Sequence, residues 1–160
     1  MNAQAATPSV ASAAPPLALL CGASGFIGRH IACALRAAGW QVRPASRRSA
    51  PAVDYTRATH ASDWQPLLQG ASAVINAVGV LRDSRARPMQ ALHADAPCAL
   101  FEACAASGVR RVIHISALGI DGGGPAARTP YARTKRQAEE RLLALTAQGR
   151  LDGIALRPSL

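Results

Sequence analysis

The sequence predicts a doubly wound α/β fold, a parallel sheet with helices on both faces. Three observations carry that expectation. A short apolar run, Leu17–Cys21, opens into Gly22-Ala23-Ser24-Gly25-Phe26-Ile27-Gly28, and a helical pattern follows. Near-continuous apolar stretches then alternate with amphipathic segments, as strands covered on both faces do. The one lysine of the chain, Lys135, stands four residues after Tyr131 at the start of a long helical pattern.

Each element follows in order. After the glycine loop, Ile27, Ile31, Leu35 and Ala38 recur at helical spacing, and Gly39 ends the helix. Residues 41–46 read as the second strand, and residues 53–55 are a candidate short third strand within an irregular stretch. Ser62 or Asp63 caps a short helix through Gln69, with Pro66 in the first turn, where a missing N–H is tolerated. Residues 73–78 form the next buried strand. A charged loop at 82–88 leads to a helix around 95–107 with Ala96, Leu100 and Ala103 on one face, stopped by Gly108. Residues 112–116 are again a buried strand, followed by a glycine-rich loop at 122–124. The helix at 130–147 turns Ala138, Leu142 and Leu145 to the core, and residues 154–156 begin a sixth strand. Right-handed crossovers join such strands.

At 160 residues and 49% apolar the chain can build one domain, and with 4% aromatic residues its core must be aliphatic. Residues 1–16, almost all Ala, Ser, Thr, Pro and Gln, read as a disordered tail. They lack the basic start of a secretory signal, and Leu20 is too bulky for the position before Cys21 in a lipoprotein cleavage site. No segment reaches the roughly 18 apolar residues that span a membrane. Cys21, Cys33, Cys98 and Cys104 have no metal-ligand spacing, which favours a reducing, cytoplasmic setting. The net charge of +9, almost wholly from Arg, favours anionic partners. No aromatic-studded strand or recognition helix accompanies it, so a nucleotide ligand is expected and no nucleic acid.

Glycines in a first turn let the backbone approach a pyrophosphate, and the following helix offers free N–H groups. Gly22, Gly25 and Gly28 have the spacing of a dinucleotide fingerprint variant; the competing reading is a turn that needs glycine for packing only. An acid expected about 20 residues on would hold the adenosine ribose of NAD. Here the second strand ends in Ala45-Ser46-Arg47-Arg48, and Arg47 or Arg48 can pair with a 2′-phosphate, which favours NADP(H) over NAD(H). Tyr131 and Lys135 share one helix face, where an ammonium stabilises a phenolate whose free pKa is near 10. Ser116, at the C-terminal end of a parallel strand, can hold a substrate oxygen.

The loop at 22–28, Asn76-Ala77-Val78-Gly79, His114-Ile115-Ser116-Ala117-Leu118-Gly119, Tyr131 to Lys135 and Leu156-Arg157-Pro158-Ser159 occur in the order seen in extended and atypical short-chain dehydrogenases/reductases. Residues 17–160 resemble in particular the atypical branch that looks like sugar-nucleotide epimerases and the NAD(P)-binding accessory subunit of respiratory NADH dehydrogenase. The resemblance implies a Rossmann-like domain in which Ser116, Tyr131 and Lys135 match the catalytic triad. Tyr131 would be the acid/base, with Lys135 lowering its pKa and binding the nicotinamide ribose. Gly22, Ser24, Gly25, Phe26, Ile27 and Gly28 would form the cofactor loop, and Ser46 and Arg47 the ribose end. Asp54 and Tyr55 fall where the family reads adenine, Asn76 to Gly79 (Ala77, Val78 and Gly79 as the cofactor contacts) where the fourth strand meets the cofactor, and Pro158 near the carboxamide.

Two departures stand out. Many relatives place an asparagine, which supports a proton-relay water, at the position that His93 takes here. If one helix includes His93 and Pro97, which has no N–H, the His93 carbonyl is free to hold that water; if the helix starts at Asp95, capped by its carboxylate, His93 is a loop residue. Relatives also continue beyond the Arg-Pro motif. The resemblance therefore implies a sheet truncated at the sixth strand, an absent C-terminal substrate domain and self-association through the open sheet edge. The expected function is an NAD(P)-dependent oxidoreductase or epimerase-like enzyme acting on an unknown small molecule, present as its cofactor-binding portion and inactive alone. The alternative is a non-catalytic NAD(P)-binding sensor or assembly protein.

Overall fold

The structure, a computed structural model, describes residues 14–159, so most of the expected tail at 1–16 lies outside the described residues. Five strands form the sheet: β1 (Leu17–Cys21), β2 (Gln41–Ala45), β3 (Ala73–Asn76), β4 (Arg111–Ile115) and β5 (Asp152–Leu156). All pairs are parallel, in the order β2-β1-β3-β4-β5. The helices are α1 (Phe26–Ala37), the one-turn α2 (Gln65–Leu68), α3 (Ala96–Ser107) and α4 (Pro130–Ala147). Strand order reverses at β1, and ligands of such sheets bind at the carboxyl ends of the strands beside that switch.

Side-chain alternation explains the two layers. Leu19, Cys21, Val74 and Val112 point to one face and meet Leu100, Phe101, Leu142, Leu145 and Trp64 in the larger core. Ala18, Leu20 and Ile75 point to the other face and meet Ala32, Ile31, Leu35 and Trp40. Ile154, in register with Ile113, and Leu156 lie on that thinner side and are 40% and 47% exposed. The four cysteines are free thiols, and burial pushes Cys21 up to about 12 and raises Cys104. No described helix is long and apolar enough to cross a membrane.

Three expectations are corrected. Residues 53–55 are not a strand. After one bond from the Val53 N–H to the Ser46 carbonyl, the Asp54 carboxylate accepts from the Thr56 N–H and hydroxyl at 3.0 and 2.8 Å. The Asp54 carbonyl then accepts from Arg57 and Ala58, which folds the chain into a turn. The last strand is accordingly the fifth among the described residues. It starts at Asp152, not at residue 154, and pairs along its whole length with β4. The short helix divides into a 3-10 turn, Ala61–Asp63, and α2, with the Asp63 carboxylate accepting from the His60 N–H at 3.0 Å.

The loop reading of His93 is also overturned. A π-helical turn, Ala91–Asp95, runs directly into α3, and the Asp95 carboxylate accepts from the Gln90 side chain at 2.9 Å instead of capping a helix. A proline ring crowds the carbonyl four residues back, and a wider turn makes room for Pro97.

Candidate active site

β1 delivers the chain to a turn at Gly22, whose φ of +81° lies in the left-handed region. A Cβ there would come within 2.8 Å of the Ala77 carbonyl, and one at Gly28 within 2.1 Å of the Gly22 oxygen. Those two glycines let loop, strand and helix close on one another, which is the packing role; Gly28 is buried in the first turn of α1 and does not line the clefts beside this loop. Gly25 is exposed at the start of α1. That helix has no side-chain cap and no acid in its first turn, so its N–H groups and positive dipole end are unclaimed by side chains.

Beside this loop lies a cleft of about 290 Å³ lined by Gly25, Phe26, Ile27, Ala77, Val78, Gly79, Ser116, Tyr131, Lys135 and Pro158. Ser116 follows β4, where its N–H donates to the Leu156 carbonyl at 2.7 Å; its buried hydroxyl lies beside the Glu139 carboxylate without a well-formed hydrogen bond to it. Thr129 caps α4 by accepting from the Ala132 N–H at 3.2 Å, and Tyr131 in the first turn and Lys135 one turn later face the cleft. The lysine is 3% exposed, and its ammonium donates to the Ile115 and Val78 carbonyls at 2.8 and 3.2 Å. Burial lowers it to about 8. Tyr131 is half-buried, and burial raises its phenol. The ammonium thus donates to two carbonyls. Asn76 supports the opposite wall by accepting from the Val78 N–H at 3.2 Å.

A second cleft of about 290 Å³ shares Val78 with the first and takes in Gly22, Ser24, Ser46, Arg47, Asp54 and Tyr55. Hydrogen bonds from Thr56 hold the Asp54 carboxyl below its usual range, against the opposing effect of burial, with Arg47 and Arg57 adding to the pull. Tyr55 is mainly a core residue. Its ring stands edge-on to Trp64 at 5.0 Å, and burial raises its hydroxyl. Arg48 lines an open groove alongside with Arg47, Pro44 and Ala45. The structure adds Arg87 to the second cleft, from the charged loop that carried no assignment in the sequence. Its only signal there was charge.

The profile of the NAD dependent epimerase/dehydratase family matches residues 18–160. The chain belongs to that family. The match bears out the resemblance to short-chain dehydrogenases/reductases, and solved structures share the Rossmann-like fold. A short-chain dehydrogenase/reductase superfamily protein from Agrobacterium tumefaciens with bound NAD is 22% identical, with a TM-score of 0.74, over 88% of this chain and 48% of that one. MoeE5 in complex with UDP-glucuronic acid and NAD is 27% identical, with a TM-score of 0.69, over 88% and 53%. UDP-glucuronic acid 4-epimerase from Bacillus cereus in complex with NAD is 20% identical, with a TM-score of 0.69, over 88% and 56%. This epimerase/dehydratase family member therefore spans about half the length of those structures. No curated protein matches it.

Proposed function

We propose that residues 17–160 are the NAD(P)-binding unit of an oxidoreductase or epimerase-like enzyme, and that Ser116, Tyr131 and Lys135 serve its reaction. One observation carries the reading: a buried hydroxyl, a phenol and a buried ammonium converge on one cleft that continues into the glycine loop. The residues present fit the cofactor. The bare end of α1 suits a pyrophosphate, the third N–H of Lys135 suits a ribose hydroxyl, and the Arg47 side suits an adenosine phosphate.

When bound, the nicotinamide exchanges a hydride with a substrate carbon. The chain supplies the rest. Ser116 orients the substrate oxygen from its buried hydroxyl. Tyr131, kept protonated by burial at neutral pH, delivers a proton to that oxygen in the reducing direction and recovers it in the reverse. Arg47 stands where an acid would select NAD, so NADP(H) is the favoured cofactor, with NAD(H), which the structural relatives hold, as the second choice. Secondary alcohols and carbonyls of sugar nucleotides are the substrate class to try first, since MoeE5 holds UDP-glucuronic acid.

Reduction or epimerisation of a panel of UDP-sugars by a full-length version of the protein, followed with NADPH and NADH, tests the reading. Turnover lost in Tyr131→Phe with cofactor affinity kept supports it. Cofactor binding with no turnover on any substrate, unchanged in the Phe variant, assigns the chain to the sensor or assembly alternative.

A further inference from the structure

We propose that His93 is a positioning residue for the nicotinamide end of the cleft, an imidazole protonated on Nδ1 that ties the turn at residues 78–80 to the first turns of α4. The proposal rests on the cofactor reading above. The ring is fully buried. Its Nε2 accepts from the Val80 N–H at 2.8 Å, and its Nδ1 lies 3.1 Å from the Thr134 hydroxyl. The Tyr131 ring stands edge-on to it, with centroids 5.3 Å apart.

The tautomer follows from the partners. A backbone N–H only donates, so Nε2 must accept and the single ring proton sits on Nδ1. Nδ1–H therefore donates to Thr134, whose own proton goes to the Pro130 or Tyr131 carbonyl, both at 3.0 Å. Burial first, and then the nearby Lys135 ammonium, lower His93 to about 4, with Asp83 opposing, so the ring is neutral at pH 7.

Both walls of the nicotinamide end depend on this one ring. Val80 N–H is drawn to His93, and the Val78 carbonyl is drawn to Lys135. Gly79 packs between the two: a Cβ there would lie 3.5 Å from the lysine nitrogen and 3.8 Å from His93 Nε2. On the other side, Thr134 sits between Tyr131 and Lys135 on α4. The glycine loop and Arg47 have no hydrogen bond to this network. Loss of the tie should loosen the nicotinamide end and spare the adenosine end.

His93→Phe keeps a ring edge against Tyr131 and removes both hydrogen bonds. Calorimetric titrations of the full chain with NADPH and with 2′-phospho-ADP, which lacks both the nicotinamide and its ribose, separate the two ends. NADPH affinity should fall about tenfold, as for loss of one or two hydrogen bonds, while 2′-phospho-ADP stays within about twofold. Equal weakening of both ligands, or of neither, overturns the proposal. If the Phe variant does not fold, Thr134→Val removes the Nδ1 partner together with the hydroxyl's own bond within α4, keeps the Val80 bond, and is judged by the same selective loss of NADPH. Imidazole nitrogen NMR of the wild-type chain at pH 7 reads the tie without any nucleotide. A protonated Nδ1 with a bare Nε2 is expected, and an Nε2–H tautomer or an imidazolium refutes it. A wild-type chain that binds neither nucleotide overturns the cofactor reading, while the nitrogen spectrum still judges the tie.

Discussion

Arg157 and Glu139 meet side by side: the guanidinium Nε lies 3.1 Å from both carboxylate oxygens, and Nη2 closes a second contact to Oε1. Nη1 also reaches Asp121 at 2.5 Å. One side chain thereby joins the end of β5 to α4, one turn beyond Lys135, and to the loop that follows Ser116. Burial alone would raise the Glu139 carboxyl, but the guanidinium, with the Ser116 hydroxyl adding to the pull, outweighs it and holds the group below its usual range.

Removing the guanidinium in Arg157→Met leaves a buried carboxylate without its partner. About 2 kcal/mol of stability should be lost, less than for a fully buried pair because the Arg157 side chain is 33% exposed. Adding Glu139→Gln to that variant should recover part of the loss. Urea denaturation of the two singles and the double checks both statements, and a double variant no better than Arg157→Met contradicts them.

Gly28→Ala places a methyl group 2.1 Å from the Gly22 oxygen, where only backbone movement relieves the clash. A loss of about 3 kcal/mol is expected. Gly123→Ala, with nothing within 4 Å of its added Cβ, should stay within about 0.5 kcal/mol of wild type. Thermal melts of the pair distinguish them, and equal melting temperatures would contradict the packing role of Gly28.

The parts of the site that were legible in the sequence are those fixed by local spacing. The glycine loop follows β1 directly, Tyr131 and Lys135 are one helical turn apart, and Ser116 comes directly after β4, so periodicity alone brings each to the carboxyl edge of the sheet. The supporting contacts join residues far apart in sequence: His93 reaches Thr134 across 41 positions and Arg157 reaches Glu139 across 18. No local pattern reports such pairs. Residues 53–55 misled because Val53 and Tyr55 alternate as in a strand, while the Asp54 side chain supplies a turn that competes with the sheet. The burial that raises Tyr131 is likewise a property of the packed fold.

Arg47→Ala should erode a preference for NADPH over NADH and leave NADH affinity nearly unchanged. A charge-assisted hydrogen bond to a phosphate contributes about 1.5–3 kcal/mol, a ratio on the order of tenfold to a hundredfold. Competitive titrations check it. Equal wild-type affinities would show that Arg47 does not read a 2′-phosphate.

Acid should weaken the fold before its carboxylates titrate. Burial lowers His93 to about 4 and His114 to about 3, from a free value of 6.5. Their folded values lie below the unfolded one, so the unfolded chain takes up protons first as pH falls. The stability tied to the neutral rings is complete above pH 6.5 and is lost toward pH 4, by up to about 3 kcal/mol per ring. Urea midpoints at pH 7, 5.5 and 4.5 should decline steadily. A flat profile over that window would mean that the rings are protonated in the folded chain.

Whether the cleft holds a nicotinamide against Lys135 is tested most directly by a fluorescence titration of NADPH into the wild-type chain and into Lys135→Met, with circular dichroism confirming that both are folded. Saturable binding with enhanced, blue-shifted nicotinamide emission is expected for wild type, weakened at least about tenfold in the variant by loss of a charged hydrogen-bond donor. A wild-type chain that shows no saturable change, or a Met variant that binds as tightly, would contradict the assignment.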